Sequence, residues 1–230
     1  MNLKSQVGIA AASYVKNHMT VGLGTGSTAA YLVAELGRRV QEENLIMTGV
    51  TTSAATKIQA LALGIPLKDL DEVAEIDVTI DGADEISPDF HGIKGGGAAL
   101  LHEKIVASYS KKNIWIVDDS KLVTTLGQFP LPVEVIPFGS QQLLKKLAAT
   151  DLQPVLRLGD DQQPLLTDSG HYLIDLHLQE LTEPEKLDAW LKTLPGVVET
   201  GLFLAIVDLV LVGKSRGVET LIVPQRPKIS

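Results

Sequence analysis

The sequence predicts an α/β fold with two parts, a mostly parallel sheet with helices on both faces and a smaller α+β domain. Over the first 125 residues, short β-rich runs alternate with helical patterns, which is typical of a Rossmann-like parallel sheet. After residue 130 the pattern becomes strand, helix, two strands, helix and strand, as in ferredoxin-like units. The length of 230 residues leaves room for both parts.

Four β-rich runs are expected to form the parallel sheet, at residues 20–23, 46–51, 77–80 and 114–117. The first two runs are each followed by a helical pattern, at residues 28–41 and 53–63. Ser53 is expected to cap the second of these helices. A further amphipathic helix is expected at residues 98–107, with Leu100, Leu101 and Ile105 on its buried face.

The second domain is expected to be a βαββαβ unit over residues 133–200, with strands at 133–137, 154–159 and 172–178. Ser140 is expected to cap the first helix of this unit. Thr182 and Glu185 have capping-box spacing at the start of its second helix, with Pro184 in the first turn.

The end of the chain is expected to return to the first domain. Two apolar runs, at residues 201–212 and 218–223, are predicted to add strands to the parallel sheet. The predicted domains are therefore residues 1–130 with 201–230, and residues 131–200.

The composition of the chain argues against several classes of function. The chain has 20 Lys and Arg against 28 Asp and Glu, a net charge of -8, which argues against wrapping nucleic acid. It has no cysteine, so disulfides, a thiolate nucleophile and Cys-ligated zinc are excluded. There is no signal-peptide pattern and no run of ~18 apolar residues. We expect a cytoplasmic protein with neither a membrane nor a nucleic-acid partner.

A Gly-rich turn between the first strand and the next helix, with the sequence GTGST at residues 24–28, predicts an anion site. Glycines let backbone N–H groups face an anion, and the hydroxyls of Ser27 and Thr28 lie at the helix N-terminus. The turn formally fits the dinucleotide fingerprint, but the acidic residue expected ~20 positions later is missing. No Gly-Lys-Ser/Thr follows, which excludes a Walker A loop. A phosphate monoester is favoured over NAD, and a turn without a ligand is the alternative.

Three carboxylates, those of Asp81, Asp84 and Glu85, follow the third strand. Neighbouring like charges push pKa values apart and can leave one group suited to proton transfer. From these residues alone, acid–base chemistry, a magnesium site and a solvated acidic loop all stay open.

Lys94 and the three glycines after it present a cation beside backbone N–H groups, which suits a developing oxyanion. A flexible loop without a function is the alternative. Glu103 follows about two helical turns later, although its spacing alone favours an exposed glutamate. Lys121, after the fourth strand, and Lys4, in an N-terminal helix, could reach the same crevice. Ligands bind there because the carboxyl ends of parallel strands share one edge.

Together these segments resemble the A-type ribose-5-phosphate isomerases. The resemblance runs nearly end to end and rests on six segments, at residues 24–28, 81–85, 94–104, 120–121, 129–135 and 195–198. It implies interconversion of ribose 5-phosphate and ribulose 5-phosphate in the non-oxidative pentose phosphate pathway, without metal or organic cofactor. It also implies a homodimer or homotetramer.

The resemblance further implies a role for each site residue. Glu103 would be the general base that moves a proton between C2 and C1 through an enediolate, and Lys94 with the N–H groups after it would stabilise the oxyanion. Asp81 and Asp84 would contact the sugar, with Asp81 favoured for opening the ring. The implied substrate-binding residues are Lys4, Thr25, Gly26, Ser27, Thr28, Asp81, Gly82, Ala83, Asp84, Lys94, Gly95, Gly96, Gly97 and Lys121.

One segment departs from the family pattern. After Gly201-Leu202-Phe203 the family usually places an Arg- or Asn-like residue, whereas this chain continues with apolar residues 204–207. Two other functions stay open: a non-catalytic phosphosugar sensor, like the domain of bacterial sugar-responsive repressors, and a sugar-phosphate deaminase. The joint presence of Asp81, Asp84, Lys94 and Glu103 favours turnover.

Overall fold

The computed structural model describes residues 2–224 and divides the chain into two compact units. The first unit comprises the described parts of Met1–Ala83, His102–Lys121 and Ala205–Ser230. The second unit comprises Asp84–Leu101 and Leu122–Leu204. Residues 225–230, which the predicted first domain included, lie outside the described residues.

Six α-helices form within residues 2–224, and none of them is both long and apolar enough to cross a membrane. The helices are α1 (Leu3–Ala11), α2 (Ser27–Glu42), α3 (Ala54–Ala62), α4 (Leu100–Ser108), α5 (Ser140–Ala148) and α6 (Pro184–Leu191). The strands of the first unit are β1 (Met19–Leu23), β2 (Met47–Thr51), β3 (Val78–Asp81), β6 (Asn113–Asp118), β12 (Leu209–Lys214) and β13 (Gly217–Ile222). The strands of the second unit are β4 (Glu85–Ile86), β5 (Gly92–Ile93), β7 (Leu131–Val135), β8 (Pro154–Leu156), β9 (Tyr172–Leu176), β10 (Val197–Thr200) and β11 (Leu202–Phe203).

The six strands of the first unit form one sheet in the order β13-β12-β6-β3-β1-β2. The neighbours from β12 to β2 run parallel, and β13 closes the edge as an antiparallel hairpin with β12. The sheet's apolar side chains are buried because helices cover a parallel sheet. The predicted fold class is confirmed, and the closing runs do add strands to this sheet.

The four longer strands of the second unit form an antiparallel sheet in the order β10-β7-β9-β8. With α5 and α6 this is the ferredoxin-like βαββαβ arrangement that the sequence predicts. Its core joins the sheet to both helices through Val133, Ile174, Leu147 and Leu191.

A second, three-stranded sheet in this unit was not predicted. It has the order β11-β5-β4, and it brings residues 84–101 and 202–203 into the second unit. Each of its strands is only two residues long, too short to show a periodic pattern. The domain boundaries at residues 130 and 201 stay a prediction, because compactness does not test independent folding.

Cap predictions succeeded in one helix and failed in two. Ser53 caps α3, where its hydroxyl accepts the Thr56 N–H. Ser140 is instead the first residue of α5, because Gly139, with a φ of 78°, holds the cap position. The capping box of Thr182 and Glu185 does not form, since α6 begins at Pro184 and is preceded directly by Glu183.

The predicted buried face of α4 is right at Leu100 and wrong at Ile105. Leu100, Val106 and Ala107 are buried, whereas Ile105 is 38% exposed and Leu101 is half-buried. The buried stripe therefore recurs at residues 100, 103 and 106–107, and it includes the carboxylate of Glu103.

Glu85 anchors the short sheet, and its removal is expected to destabilise the protein. The side chain is 3% exposed, and its two oxygens accept the N–H groups of Gly127 and Phe129 at 2.7 and 2.6 Å. Glu85→Ala leaves both donors without this acceptor and should lower the free energy of unfolding by about 2 kcal/mol or more. Urea unfolding followed by circular dichroism measures the change. The control is Glu180→Ala, at an exposed position, whose free energy of unfolding should lie within about 0.5 kcal/mol of the parental value. Equal losses in the two variants would contradict the anchoring role of Glu85.

Candidate active site

The carboxyl edge of the parallel sheet has a topological switch point beside β1. The chain leaves β1 for β2 on one side and returns to β3 on the other side, so the loops after β1 and β3 flank a crevice where ligands bind in open α/β sheets. These loops touch, because the Thr25 N–H donates to Asp81 Oδ1 at 2.9 Å.

The turn after β1 leads into the N-terminus of α2, a position in a fold that favours anions. Gly26 occupies the cap position with a φ of 102°, and it has no side chain to satisfy the first N–H groups of this 16-residue helix. The helix dipole adds positive potential at this end. Lys4 of α1 donates from Nζ to Ser27 Oγ at 2.9 Å, so the expected cation lies at the turn. Thr28 is buried in the first turn of the helix.

A cluster of hydroxyl groups forms hydrogen bonds with this turn. Thr25 Oγ1 lies 2.7 Å from Thr52 Oγ1 and 2.8 Å from Ser53 Oγ. Thr56 Oγ1 donates to the Gly24 carbonyl at 2.9 Å. Sequence reasoning identified Ser53 as a helix cap but missed Thr56. Its spacing of three residues from the capping Ser53 is the signal that could have found it.

Asp81, the last residue of β3, is 3% exposed and closely packed. Its Oδ1 accepts a second backbone N–H, that of Gly82, at 2.7 Å. A Cβ atom on Gly24 would lie 2.1 Å from the same oxygen. Only glycine therefore lets the backbone directly after β1 lie this close to the carboxylate.

Glu103 lies in the first half of α4 and is 5% exposed. The interpretation that its spacing favoured, an exposed helix glutamate, is therefore wrong. The stripe of buried positions on this helix includes residue 103, and this signal was available from the spacing of Leu100, Glu103 and Val106. Burial shields this carboxylate from water.

Lys121 ends a 3-10 turn, Asp119–Lys121, directly after β6. Because β6 is the neighbour of β3 in the parallel sheet, Lys121 lies at the same edge as Asp81. This placement is what the sequence predicted for it.

The second unit holds Asp84, Lys94 and the glycine loop. Asp84 Oδ2 accepts the Gly96 N–H at 2.8 Å, so this amide of the loop already has an acceptor. Lys94 is 3% exposed, and its Nζ lies 5.0 Å from the centre of the Phe203 ring, a cation–π distance. Sequence reasoning did not identify Phe203 as a partner of Lys94, because 109 residues separate them.

Glu85 differs from the two aspartates in its surroundings. Each of its two oxygens accepts a backbone N–H group, so Glu85 is a structural anchor of the loop. Among residues 2–224 there is no group of three or more His, Asp or Glu side chains placed to hold a metal ion.

A doubly wound sheet with an anion-binding turn at its switch point is typical of α/β proteins that bind phosphorylated ligands. The family model of ribose 5-phosphate isomerase A (phosphoriboisomerase A) matches residues 48–217. The ribose-5-phosphate isomerase A of Enterococcus faecalis is 62% identical over 226 residues, which cover 98% of this chain and 100% of the relative.

Two solved structures agree with this relationship. The ribose 5-phosphate isomerase A of Methanocaldococcus jannaschii is 43% identical with a TM-score of 0.91, covering 96% of this chain and 98% of that one. A D-ribose-5-phosphate isomerase in complex with phospho-erythronic acid is 38% identical with a TM-score of 0.93, covering 96% of this chain and 100% of that one. The chain belongs to the ribose 5-phosphate isomerase A family.

The close approach of Gly24 to Asp81 yields a testable expectation. Gly24→Ala puts a methyl group against the carboxylate, and the shift that relieves this overlap should cost about 1–3 kcal/mol of stability. Thermal unfolding measures the loss. Gly82→Ala is the matched control, because the nearest atom to its added Cβ is 3.8 Å away; we expect its melting temperature to stay level or rise. Equal melting temperatures for Gly24→Ala and the parent would contradict the proposed steric constraint.

Proposed function

We propose that the protein interconverts D-ribose 5-phosphate and D-ribulose 5-phosphate through an enediolate, as an aldose–ketose isomerase of the non-oxidative pentose phosphate pathway. The observation that carries this proposal is the 62% identity to a ribose-5-phosphate isomerase A over 98% of this chain and all of the relative. A related structure holds phospho-erythronic acid, a phosphorylated sugar acid, which supports the substrate class.

The turn at the start of α2 is proposed to bind the substrate phosphate. Backbone N–H groups at residues 25–28 and the hydroxyls of Ser27 and Thr28 would donate to its oxygens, and Lys4 and Lys121 would supply positive charge. These attractions are local, since the whole chain carries a net charge of -8. At physiological salt they act within a Debye length of ~8 Å.

Asp81 is proposed to open the furanose ring by taking the proton of the anomeric hydroxyl and returning one to the ring oxygen. The N–H groups of Thr25 and Gly82 both meet Oδ1, so they fix the direction of the carboxylate. Gly82 and Ala83 continue from this strand end and would line the sugar. Asp84 is proposed to contact a sugar hydroxyl.

Glu103 is proposed to be the base of the isomerisation. It would take the proton from C2 of the open aldose, which leaves an enediolate with negative charge on O1. The same proton would return to C1, while the proton of the C2 hydroxyl moves to O1 and leaves a ketone at C2. Lys94, with the N–H groups of Gly95 and Gly97, would stabilise the charge on the enediolate, while the N–H of Gly96 stays with Asp84. No bond to a metal or an organic cofactor enters these steps.

A homodimeric or homotetrameric state and a cytoplasmic location are part of the same proposal. Both are implied by the family resemblance, and the relatives that support it are bacterial metabolic enzymes. Light scattering from the purified protein distinguishes a monomer from either oligomer.

The experiment that tests the function is a coupled assay of purified protein with ribose 5-phosphate, repeated after exhaustive EDTA treatment. Turnover in both assays supports the proposal. Binding of ribose 5-phosphate without turnover would favour a phosphosugar sensor. Turnover that EDTA abolishes and only a divalent metal restores would revive the magnesium interpretation of the acidic loop.

Glu103→Gln is expected to keep ribose 5-phosphate binding but to lose at least ~10²-fold in kcat, because a positioned base contributes about 10²–10⁴-fold. Glutamine keeps the shape of the side chain, so the dissociation constant measured by calorimetry should change little. The control is Glu180→Gln, at an exposed position, which should leave kcat at the parental value. A Glu103→Gln variant with near-normal kcat would remove Glu103 as the base.

A further inference from the structure

Arg157 forms a bidentate ion pair with Asp175 in the second unit. It follows β8 directly, and its Nε donates to Asp175 Oδ2 at 2.8 Å while Nη2 donates to Oδ1. The two side chains are only 15% and 16% exposed. This two-bond geometry occupies one edge of the guanidinium and fixes its plane.

The strand register explains why these side chains meet. Val155 pairs with Asp175 across the ladder of β8 and β9, and the Arg157 N–H continues the ladder by donating to the Leu173 carbonyl at 2.8 Å. Arg157 and Asp175 are therefore diagonal neighbours on one face of the sheet, where long side chains reach each other.

The third nitrogen of Arg157 reaches the glycine loop. Nη1 donates to the Gly95 carbonyl at 2.8 Å and lies 3.4 Å from the Gly96 carbonyl. Gly95 has a φ of 110°, and a Cβ atom there would lie 2.9 Å from Leu100 Cδ2, so the loop needs glycine at this point. Arg157 therefore donates a hydrogen bond to a turn whose backbone conformation requires glycine at position 95.

The peptide group between Gly95 and Gly96 links Arg157 to Asp84. The carbonyl of Gly95 and the N–H of Gly96 belong to the same peptide plane, and in a trans peptide they point in opposite directions. Arg157 holds the carbonyl end, and the N–H end donates to Asp84 Oδ2 at 2.8 Å. The orientation of Asp84 therefore depends on the guanidinium at the other edge of the peptide.

The charges alternate in sign along this series of hydrogen-bonded groups. Asp175 is negative, Arg157 is positive, the peptide presents its oxygen to Arg157 and its hydrogen to Asp84, and Asp84 is negative. Hydrogen bonds connected in this way polarise one another, so each strengthens the next. A shielded ion pair alone is weak evidence for stability, because desolvating its charges costs free energy. The contact of Nη1 with the loop is the feature that a simple ion pair does not need.

We infer that Arg157 and Asp175 are positioning residues: they orient the Gly95–Gly96 peptide, which in turn holds Asp84 in the direction needed to contact the sugar. The inference rests on the proposed function, in which Asp84 contacts the substrate. Neither Arg157 nor Asp175 touches substrate in this proposal.

The first test is Arg157→Met, which keeps the length of the side chain and removes all its donors. We expect kcat for ribose 5-phosphate to fall about 10-fold or more, because small misplacements of catalytic groups carry losses of this order. KM should stay within about 3-fold, since the phosphate contacts are unchanged. An unchanged kcat in the folded variant, or a change confined to KM, overturns the inference. If Arg157→Met does not fold, Arg157→Lys replaces it, because lysine can pair with Asp175 but cannot also hold the Gly95 carbonyl.

A double variant tests whether Arg157 affects kcat through Asp84. In an Asp84→Asn background, Arg157→Met should lower kcat by less than about 3-fold further, because residues acting through one another do not have additive effects. Full additivity overturns the route through Asp84. Thr167→Val is the matched structural control: it removes a buried hydrogen bond to Glu134 elsewhere in the same unit, and it should lower the melting temperature without changing kcat.

A measurement without substrate separates failure of this inference from failure of the proposed function. In a ¹H–¹⁵N spectrum the amide signal of Gly96 should move when Asp84→Asn removes the carboxylate charge, and Arg157→Met should move it in the same direction. Thr167→Val should leave that signal in place. A Gly96 signal that Arg157→Met does not shift overturns the positioning role whether or not the parent protein isomerises ribose 5-phosphate. An inactive parent in which Arg157→Met does shift the signal counts against the proposed function and leaves the positioning of Asp84 supported.

Discussion

The contact between the turn after β1 and the Asp81 carboxylate is the interaction on which the ligand edge of the first unit depends. A buried carboxylate costs free energy unless donors replace its water. Here the donors include the backbone N–H groups of Thr25 and Gly82, and Thr25 belongs to the turn before α2. The acid and the turn therefore fix each other, and Gly24 is the residue whose missing side chain lets them meet.

This mutual dependence also explains how an acidic group and an anion site can be neighbours. Asp81 accepts the N–H of Thr25, whereas the first N–H groups of α2 belong to residues that follow Gly26. Lys4 adds a cation at Ser27 on the helix side. An anionic ligand can thus be attracted by groups within a few ångströms, although the chain as a whole is negative.

The sequence predicted those features that have a repeating local signal. The parallel strands appear as apolar runs because they are buried on both faces, and the order of elements then predicts the fold class. The short strands β4, β5 and β11 have two residues each and no period to detect. The contact between Arg157 and Gly95 joins residues 62 positions apart, and no spacing rule connects them.

Glu103 shows how a buried charged residue misleads an assignment based on apolar residues. An amphipathic helix is assigned by letting apolar residues mark the buried face, and that assumption moved the predicted face of α4 towards Ile105. The actual stripe contains Glu103, a charged residue at a position where packing alone would favour an apolar group. Local disagreement with the hydrophobic pattern is expected at functional sites rather than within the core.

The backbone N–H donors are distributed differently around the three carboxylates at and just after the end of the third parallel strand. Glu85 accepts one backbone N–H on each oxygen, so both of its oxygens help to hold residues 127 and 129. Asp81 accepts the N–H groups of Thr25 and Gly82 on the same oxygen, Oδ1. Asp84 shows the same asymmetry with a single N–H on Oδ2. The three adjacent acids of this loop therefore divide by hydrogen-bond geometry, which the spacing of their residues does not reveal.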